Sequence, residues 1–300
     1  MQKKQEKHTM VIAGCGHEHE VLSEPDIIRE MGAFAAESLG EESGFKAGDG
    51  FPMDLWRSMG EAGFMGLTLP AEYGGRGLPF TALALGAEAM VGKGANLGVV
   101  LAWIIHCLVS DFYISRFAQP GIRDELLPGL ASGKITAAVA VSEPGVGANP
   151  KYLTTLAIST GDGFSLSGTK MPVTNGPLAH VFVVIAVTGN SNGKNNFSAF
   201  LVPRTATGLT VGPALELPIL KPSLHCSIGL DNARIDTDHV LGDPDTAFET
   251  MVRPFRRCEQ GLLSAVLDRA RVLAAMSQGS GTGFARDMEA IAGLVEPSPA

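Results

Sequence analysis

Apolar residues recur at every third or fourth position along the first part of the chain, from residue 24 to about residue 134. This period is typical of amphipathic helices, and Gly63, Gly92 and Gly94 stand where helices are expected to end. Residues 24–134 are therefore predicted to form an all-α domain, preceded by a tail over residues 1–23. The predicted helices are Asp26–Ser38, Pro52–Ala62, Phe80–Val91, Leu97–Phe117 and Pro120–Ser132.

The period of the pattern changes to two over residues 135–240, where short β-branched and aromatic runs are divided by Gly, Asn, Asp and Pro. Such runs predict strands of a small β-barrel or sandwich. The polar tract Gly189–Asn196 is expected to be a hairpin connection, because strand patterns continue on both sides of it. The predicted strands are Val139–Ser142, Leu153–Ile158, Phe164–Ser167, His180–Val187, Phe197–Val202, Leu209–Val211 and Ser227–Ile235.

A helical period returns in residues 241–300, where Phe248 to about Met276 predicts one long helix with an apolar face. Glycine and serine follow it from residue 277, so this region is expected to be an incomplete C-terminal helical segment. The whole chain is thus predicted to be an α+β multidomain protein.

Composition limits the classes of partner. Acidic residues outnumber basic ones, 31 to 23, and the net charge of −8 gives no overall attraction to nucleic acid or to an anionic membrane. The longest apolar run, Val99–Ile105, is shorter than the ~20 residues that span a bilayer, so no membrane span is expected. The four cysteines show no CxxC spacing, which favours a reduced, cytoplasmic setting. Cys15, His17 and His19 are interpreted as part of a polar tail, and no metal site is predicted.

Three motifs carry the candidate chemistry. AVAVSEPGVGAN, residues 138–149, predicts a strand that ends in a glycine-containing turn, where backbone N–H groups can meet a ligand. A second motif, GFSLSGTKMPVTNG, follows it at residues 163–176, and a third, LPAEYGG, precedes it at residues 69–75. In this order the three motifs resemble those of the flavin-dependent acyl-CoA dehydrogenase family, and the resemblance spans roughly residues 24–270.

The resemblance implies that the chain binds FAD and an acyl-CoA thioester. In the family, a glutamate removes the α-proton while a hydride leaves the β-carbon for the flavin N5. The same resemblance suggests contacts to the flavin ring or pyrophosphate for Val139, Val141, Ser142, Gly147, Ala148, Pro172, Val173 and Thr174. Hydroxyls such as those of Ser142 and Thr174 can hydrogen-bond a flavin, although hydroxyl groups in loops also commonly cap the backbone.

Three positions depart from the family pattern. Pro172 stands where family members usually carry a tryptophan, so an aromatic face and a backbone N–H donor are missing. Ala148 and Asn149 replace the usual Ser-Asp pair, which removes a hydroxyl and a charge from the region that meets the pyrophosphate and the substrate.

The long helix offers a candidate base, Glu259, in one of two alignments. Without a gap from Phe248, the family pattern places Glu259 at an arginine position; a shift of one residue makes Glu259 the base. Consecutive helical residues point ~100° apart, so this shift decides which way the carboxylate faces. Arg256 and Arg257 are candidates to hold the phosphates of CoA, or else belong to a solvated basic face.

These observations predict a FAD-binding oxidoreductase that acts on the CH–CH group of an acyl-CoA thioester and is weak or inactive alone. The alternative is a non-catalytic subunit of a heteromeric acyl-CoA dehydrogenase, or an acyl-CoA-binding pseudoenzyme. Because the helix from Phe248 is expected to expose its apolar face, a homo- or hetero-oligomer with an acyl-CoA dehydrogenase-like chain is also predicted.

Overall fold

The computed structural model describes residues 24–38, 50–216 and 220–276. The predicted tail over residues 1–23, with its Cys and His residues, and the segment after residue 276 lie outside the described residues.

Helices form the N-terminal part of the molecule, as the three- to four-residue period predicts. The helix over Leu97–Leu108 is apolar almost all round, and its N-terminus is capped by the Asn96 side chain, which accepts a hydrogen bond from the Gly98 N–H at 2.8 Å. It continues as a π-helix over Val109–Ser115. The helices are α1 (Glu24–Ser38), α2 (Met53–Glu61), α3 (Phe80–Val91), α4 (Leu97–Leu108) and α5 (Pro120–Ala131), with a 3₁₀ turn at Ala71–Tyr73.

Among the described residues, eight strands form one sheet in the order β6-β7-β3-β2-β4-β5-β8, with β1 parallel to β4. The Gly189–Asn196 tract is a hairpin connection, as predicted, but β4 and β5 extend into it and leave a turn of only two residues, Asn192 and Gly193. Both residues adopt the left-handed conformation that such turns need, with φ of 53° and 74°. The strands are β1 (Ala137–Ala140), β2 (Leu156–Ser159), β3 (Gly163–Thr174), β4 (Val181–Ser191), β5 (Lys194–Pro203), β6 (Leu209–Val211), β7 (His225–Asp236) and β8 (Val240–Leu241).

The sheet separates two hydrophobic cores within the described part of the chain. Along β4, Val183 and Ile185 join the core of the helical part, whereas Phe182 and Val184 join a second core. The second core lies inside the folded-over sheet, where Phe164 of β3 meets Phe200 of β5 with ring centroids 5.0 Å apart. A strand buried on both faces needs apolar residues at every position, which explains the unbroken run over 181–187. The predicted α+β fold with a helical domain and a curled β domain is confirmed.

The last described element is α6 (Arg253–Met276), which follows a π-helix over Phe248–Val252. The expectation that this helix exposes its apolar face is wrong for the part that the structure describes. Phe255, Leu262 and Val266 are buried in the core of the helical part, where α6 packs on α3 and α4. The argument for a partner chain drawn from this face therefore no longer applies.

One stretch of the described chain, Leu97–Ser115, is long and apolar enough to cross a bilayer. Since 89% of it is buried inside the protein, it is placed as a core helix of the fold, in agreement with the interpretation of Val99–Ile105.

A buried ion pair holds the end of β1 against β3. The Lys170 ammonium and the Glu143 carboxylate lie 2.9 Å apart, with side chains 0% and 5% exposed. Lys170 also donates to the Val141 carbonyl at 3.0 Å, and the Met171 N–H donates to the Ser142 carbonyl at 2.9 Å. Three consecutive residues after β1 are thus fixed by contacts from β3.

Glu143 is fully engaged in this arrangement. The Thr154 N–H and hydroxyl donate to one carboxylate oxygen, and the Thr155 N–H donates to the other, each at 2.8 Å. Burial alone would raise the pKa of Glu143, but these hydrogen bonds and the Lys170 ammonium lower it to about 2. Burial lowers the pKa of Lys170, and Glu143 partly offsets this effect.

Replacing Glu143 by glutamine should lower the free energy of unfolding by about 3–5 kcal/mol, because it leaves the Lys170 ammonium buried without a counter-charge. The measurement is chemical denaturation of the purified variant and the wild type at neutral pH.

A matched control is Glu249→Gln, which breaks the exposed Glu249–Arg253 pair at 3.2 Å. That variant should lose no more than about 1 kcal/mol. Equal losses in free energy of unfolding in the two variants would show that the buried Glu143–Lys170 pair contributes no more to stability than an exposed pair.

Candidate functional site

A cleft of about 240 Å³ opens where β1, the end of β3, α4 and α6 meet. Its lining combines residues from two of the three sequence motifs, 138–149 and 163–176, with residues from the long helix. The lining residues are Ile105, Val139, Val141, Ser142, Ala148, Pro172, Thr174, Val252, Phe255, Arg256 and Glu259.

Strand alternation explains which motif residues face the cleft. On β1, Ala138 and Ala140 are buried in the second core, so Val139 and Val141 point to the opposite face and line the cleft. On β3, Val173 is buried in the second core, whereas Pro172 and Thr174 line the cleft. Two parts of the chain, more than 30 residues apart in sequence, therefore present apolar and hydroxyl groups to one space.

The β3 end is held against the helical part by Asn175. Its side-chain amide donates to the Ala102 carbonyl of α4 at 2.7 Å, and Asn175 itself adopts a positive φ of 62°. Ala102 lies three residues before Ile105, nearly one helical turn, so this bond holds the part of α4 that carries Ile105 against the end of β3.

Glu259 reaches the cleft from α6. Burial raises the pKa of its carboxyl group, and the Arg256 guanidinium partly opposes that rise. The side chain is half-buried, and Arg256, one helical turn earlier, is exposed at the same cleft. A carboxylate with increased proton affinity at an apolar cleft is suited to accept a proton from a bound molecule.

Of the residues named from sequence, the structure brings Val139, Val141, Ser142, Ala148, Pro172, Thr174, Arg256 and Glu259 to the cleft. It does not bring three others there. Gly147 lies in the exposed turn, the Val173 side chain is buried on the other side of the sheet, and Arg257 is exposed next to Arg256. Any contact from Val173 would have to come from its backbone.

Sequence reasoning missed three apolar wall residues, Ile105, Val252 and Phe255. Ile105 and Phe255 belong to apolar faces of predicted helices, and nothing in their pattern separates a cleft wall from a core position. It also missed the Glu143–Lys170 pair, although opposite charges in two motifs that were expected to associate were a usable signal.

Comparison with known protein families gives two matches that together cover more than half of the chain. Residues 24–134 match the acyl-CoA dehydrogenase N-terminal domain, and residues 138–233 match the acyl-CoA dehydrogenase middle domain.

Relatives of known sequence agree with this. The probable acyl-CoA dehydrogenase YngJ of Bacillus subtilis is 32% identical over 233 residues, which is 77% of this chain and 61% of the relative. The L-prolyl-[peptidyl-carrier protein] dehydrogenase of Pseudomonas fluorescens is 32% identical over 194 residues, 64% of this chain and 51% of the relative. The chain thus spans only part of the length of these relatives.

Solved structures show the same fold. Butyryl-CoA dehydrogenase from Megasphaera elsdenii superposes with a TM-score of 0.74 at 18% identity, covering 92% of this chain and 75% of that one. An acyl-CoA dehydrogenase complexed with FAD from Bacillus anthracis has a TM-score of 0.75 at 24% identity, covering 89% of this chain and 45% of that one. These likenesses show the shared fold, and the two domain matches show that the chain belongs to the acyl-CoA dehydrogenase family.

Proposed function

We propose that this chain binds FAD in the cleft and acts on the CH–CH group of an acyl-CoA thioester. The observation that carries the proposal is the convergence of both β-domain motifs and Glu259 of α6 on one space. FAD, when bound, supplies an acceptor for the hydride that leaves the β-carbon of the substrate.

The residues at the cleft suit a flavin ring. Val139, Val141 and Phe255 offer apolar walls to a flat ring system, while the hydroxyls of Ser142 and Thr174 can hydrogen-bond its heteroatoms. The volume of about 240 Å³ lies below the ~300–1,000 Å³ of sites that enclose a whole ligand. The cleft therefore suits one end of a long ligand whose remainder lies on the open surface.

Glu259 is proposed as the base that takes the α-proton. Of the two alignments considered from sequence, its position at the cleft supports the one in which the carboxylate faces the reacting groups. Burial, which raises its pKa, increases its affinity for the proton.

Arg256 is proposed to bind a phosphate of CoA. It lines the cleft and is exposed, so its guanidinium can reach a phosphate oxygen without a large desolvation cost. Arg257 is exposed and does not line the cleft, so it is assigned to the solvated surface instead.

Weak turnover, or a non-catalytic role as an acyl-CoA-binding subunit of a heteromeric dehydrogenase, is the second candidate. It is favoured by Pro172 and Ala148, because both line the cleft and neither supplies the aromatic ring or hydroxyl that the family pattern has there. Misplacement of reacting groups by ~1 Å can cost ~100-fold in rate, so a loosely filled cleft limits turnover.

The purified chain should carry flavin absorbance, and Thr174→Val should weaken FAD binding by about 0.5–1.5 kcal/mol, because it keeps the shape and removes one hydroxyl. Absorbance and fluorescence titration with FAD measure both. A chain that stays colourless and does not bind added FAD would overturn the proposal, and unchanged binding by the variant would remove Thr174 from the site.

Replacing Glu259 by glutamine should leave FAD binding intact and slow α-proton removal by about 100-fold or more, because the proton acceptor is lost. The measurement is exchange of the α-hydrogen of an acyl-CoA with deuterated water, followed by mass spectrometry, which does not require full turnover. Glu249→Gln, an exposed glutamate outside the cleft, is the matched control and should exchange like the wild type. Exchange that survives Glu259→Gln would clear Glu259 of this role.

Replacing Arg256 by glutamine should weaken acyl-CoA binding by about 10-fold or more, whereas Arg257→Gln should have little effect, because only Arg256 lines the cleft. Calorimetric titration with acyl-CoA compares the two variants. The Arg256 variant should also raise the pKa of Glu259, since that guanidinium lowers it, so α-proton exchange should begin at higher pH. Equal effects of the two substitutions would contradict the assignment.

A further inference from the structure

Thr174 has a buried hydrogen-bond partner on the neighbouring strand β7, outside the residues that line the cleft. Its hydroxyl oxygen lies 3.1 Å from Nδ1 of His225, the first residue of β7, and the two residues are paired in the β3–β7 register. Thr174 therefore lines the cleft and is also hydrogen-bonded to an imidazole that does not line it.

His225 is held in a nearly dry environment. Its side chain is 7% exposed, and its other ring nitrogen, Nε2, is buried with no hydrogen-bond partner among the residues that the structure describes. Burial lowers the pKa of this imidazole, so the ring is neutral near neutral pH and carries its proton on one nitrogen only.

The position of that proton decides what Thr174 offers to the cleft. A proton on Nδ1 donates to the Thr174 oxygen, which leaves the hydroxyl hydrogen free to donate to a ligand. A proton on Nε2 makes Nδ1 an acceptor, which takes up the hydroxyl hydrogen and leaves Thr174 only an acceptor for the ligand. The second arrangement also buries an N–H donor without a partner, and such orphaned donors are rarer in proteins than orphaned acceptors.

We propose that His225 is a positioning residue that holds Thr174 as a hydrogen-bond donor toward the cleft. The ligand atom that fits this donor is an acceptor, such as a ring nitrogen or carbonyl oxygen. The inference rests on the proposed function where that acceptor is assigned to the flavin, but the His225–Thr174 bond itself belongs to the chain alone.

The first experiment needs no flavin. ¹⁵N chemical shifts of the histidine rings in the labelled chain report which nitrogen carries the proton, and His225→Asn identifies the His225 signals by their loss. The expected result is the Nδ1–H form, with the Nδ1 signal moved by Thr174→Val. A dominant Nε2–H form, or signals that Thr174→Val leaves in place, would overturn the proposal.

The second experiment is a double-mutant cycle on FAD binding. His225→Leu should weaken binding about 2- to 10-fold, the loss expected for one neutral hydrogen bond. His225→Asn, which can place an amide N–H near the position of Nδ1, should restore binding to within about twofold of the wild type. His225→Leu combined with Thr174→Val should bind like Thr174→Val alone, because His225 acts through Thr174.

Additive losses in the double variant, or no rescue by His225→Asn, would show that His225 only supports the fold, and the proposal would fail. If the wild-type chain binds no FAD, the proposed function fails while the ring-nitrogen result still decides whether His225 sets the direction of the Thr174 hydrogen bond.

Discussion

The Lys170 ammonium, enclosed between the end of β1 and β3, is the charge around which the site is arranged. Its contacts with the Glu143 carboxylate and the Val141 carbonyl fix the backbone after β1, from which Val141 and Ser142 line the cleft. A buried charge is tolerated only when it is paired and hydrogen-bonded, and the donors of Thr154 and Thr155 complete the shell around Glu143. The geometry of the cleft on the β1 side thus follows from satisfying one buried pair.

The opposite wall depends on packing rather than charge. Strands β1 and β4 are buried on both faces, one of which packs against the core of the helical part. The apolar face of α6 packs on that same core. Because Phe255 and Leu262 are buried, the helix has little rotational freedom, and Glu259 and Arg256 are held at the cleft margin. The rotation of α6 that brings these two residues to the cleft is therefore set by the buried face of the helix.

Two polar contacts hold the end of β3, which lines another part of the cleft. Asn175 ties the end of β3 to α4, and the His225 ring of β7 is hydrogen-bonded to Thr174. Both residues act from buried positions next to cleft residues, so the hydrogen bonds that the cleft offers to a ligand are set by side chains that the ligand does not touch.

Local pattern alone predicted the order of the helices and of the first seven strands, and a hairpin connection within Gly189–Asn196, because helix and strand periods and turn chemistry depend on near neighbours. The three motifs also identified the family and most of the cleft residues. Only the tertiary structure decided which face of each element is used: it turned Val173 away from the cleft, covered the apolar face of α6, and paired Glu143 with Lys170 and Thr174 with His225. These contacts join residues 27 and 51 positions apart, and such pairings arise from strand register and core packing, which no local pattern encodes.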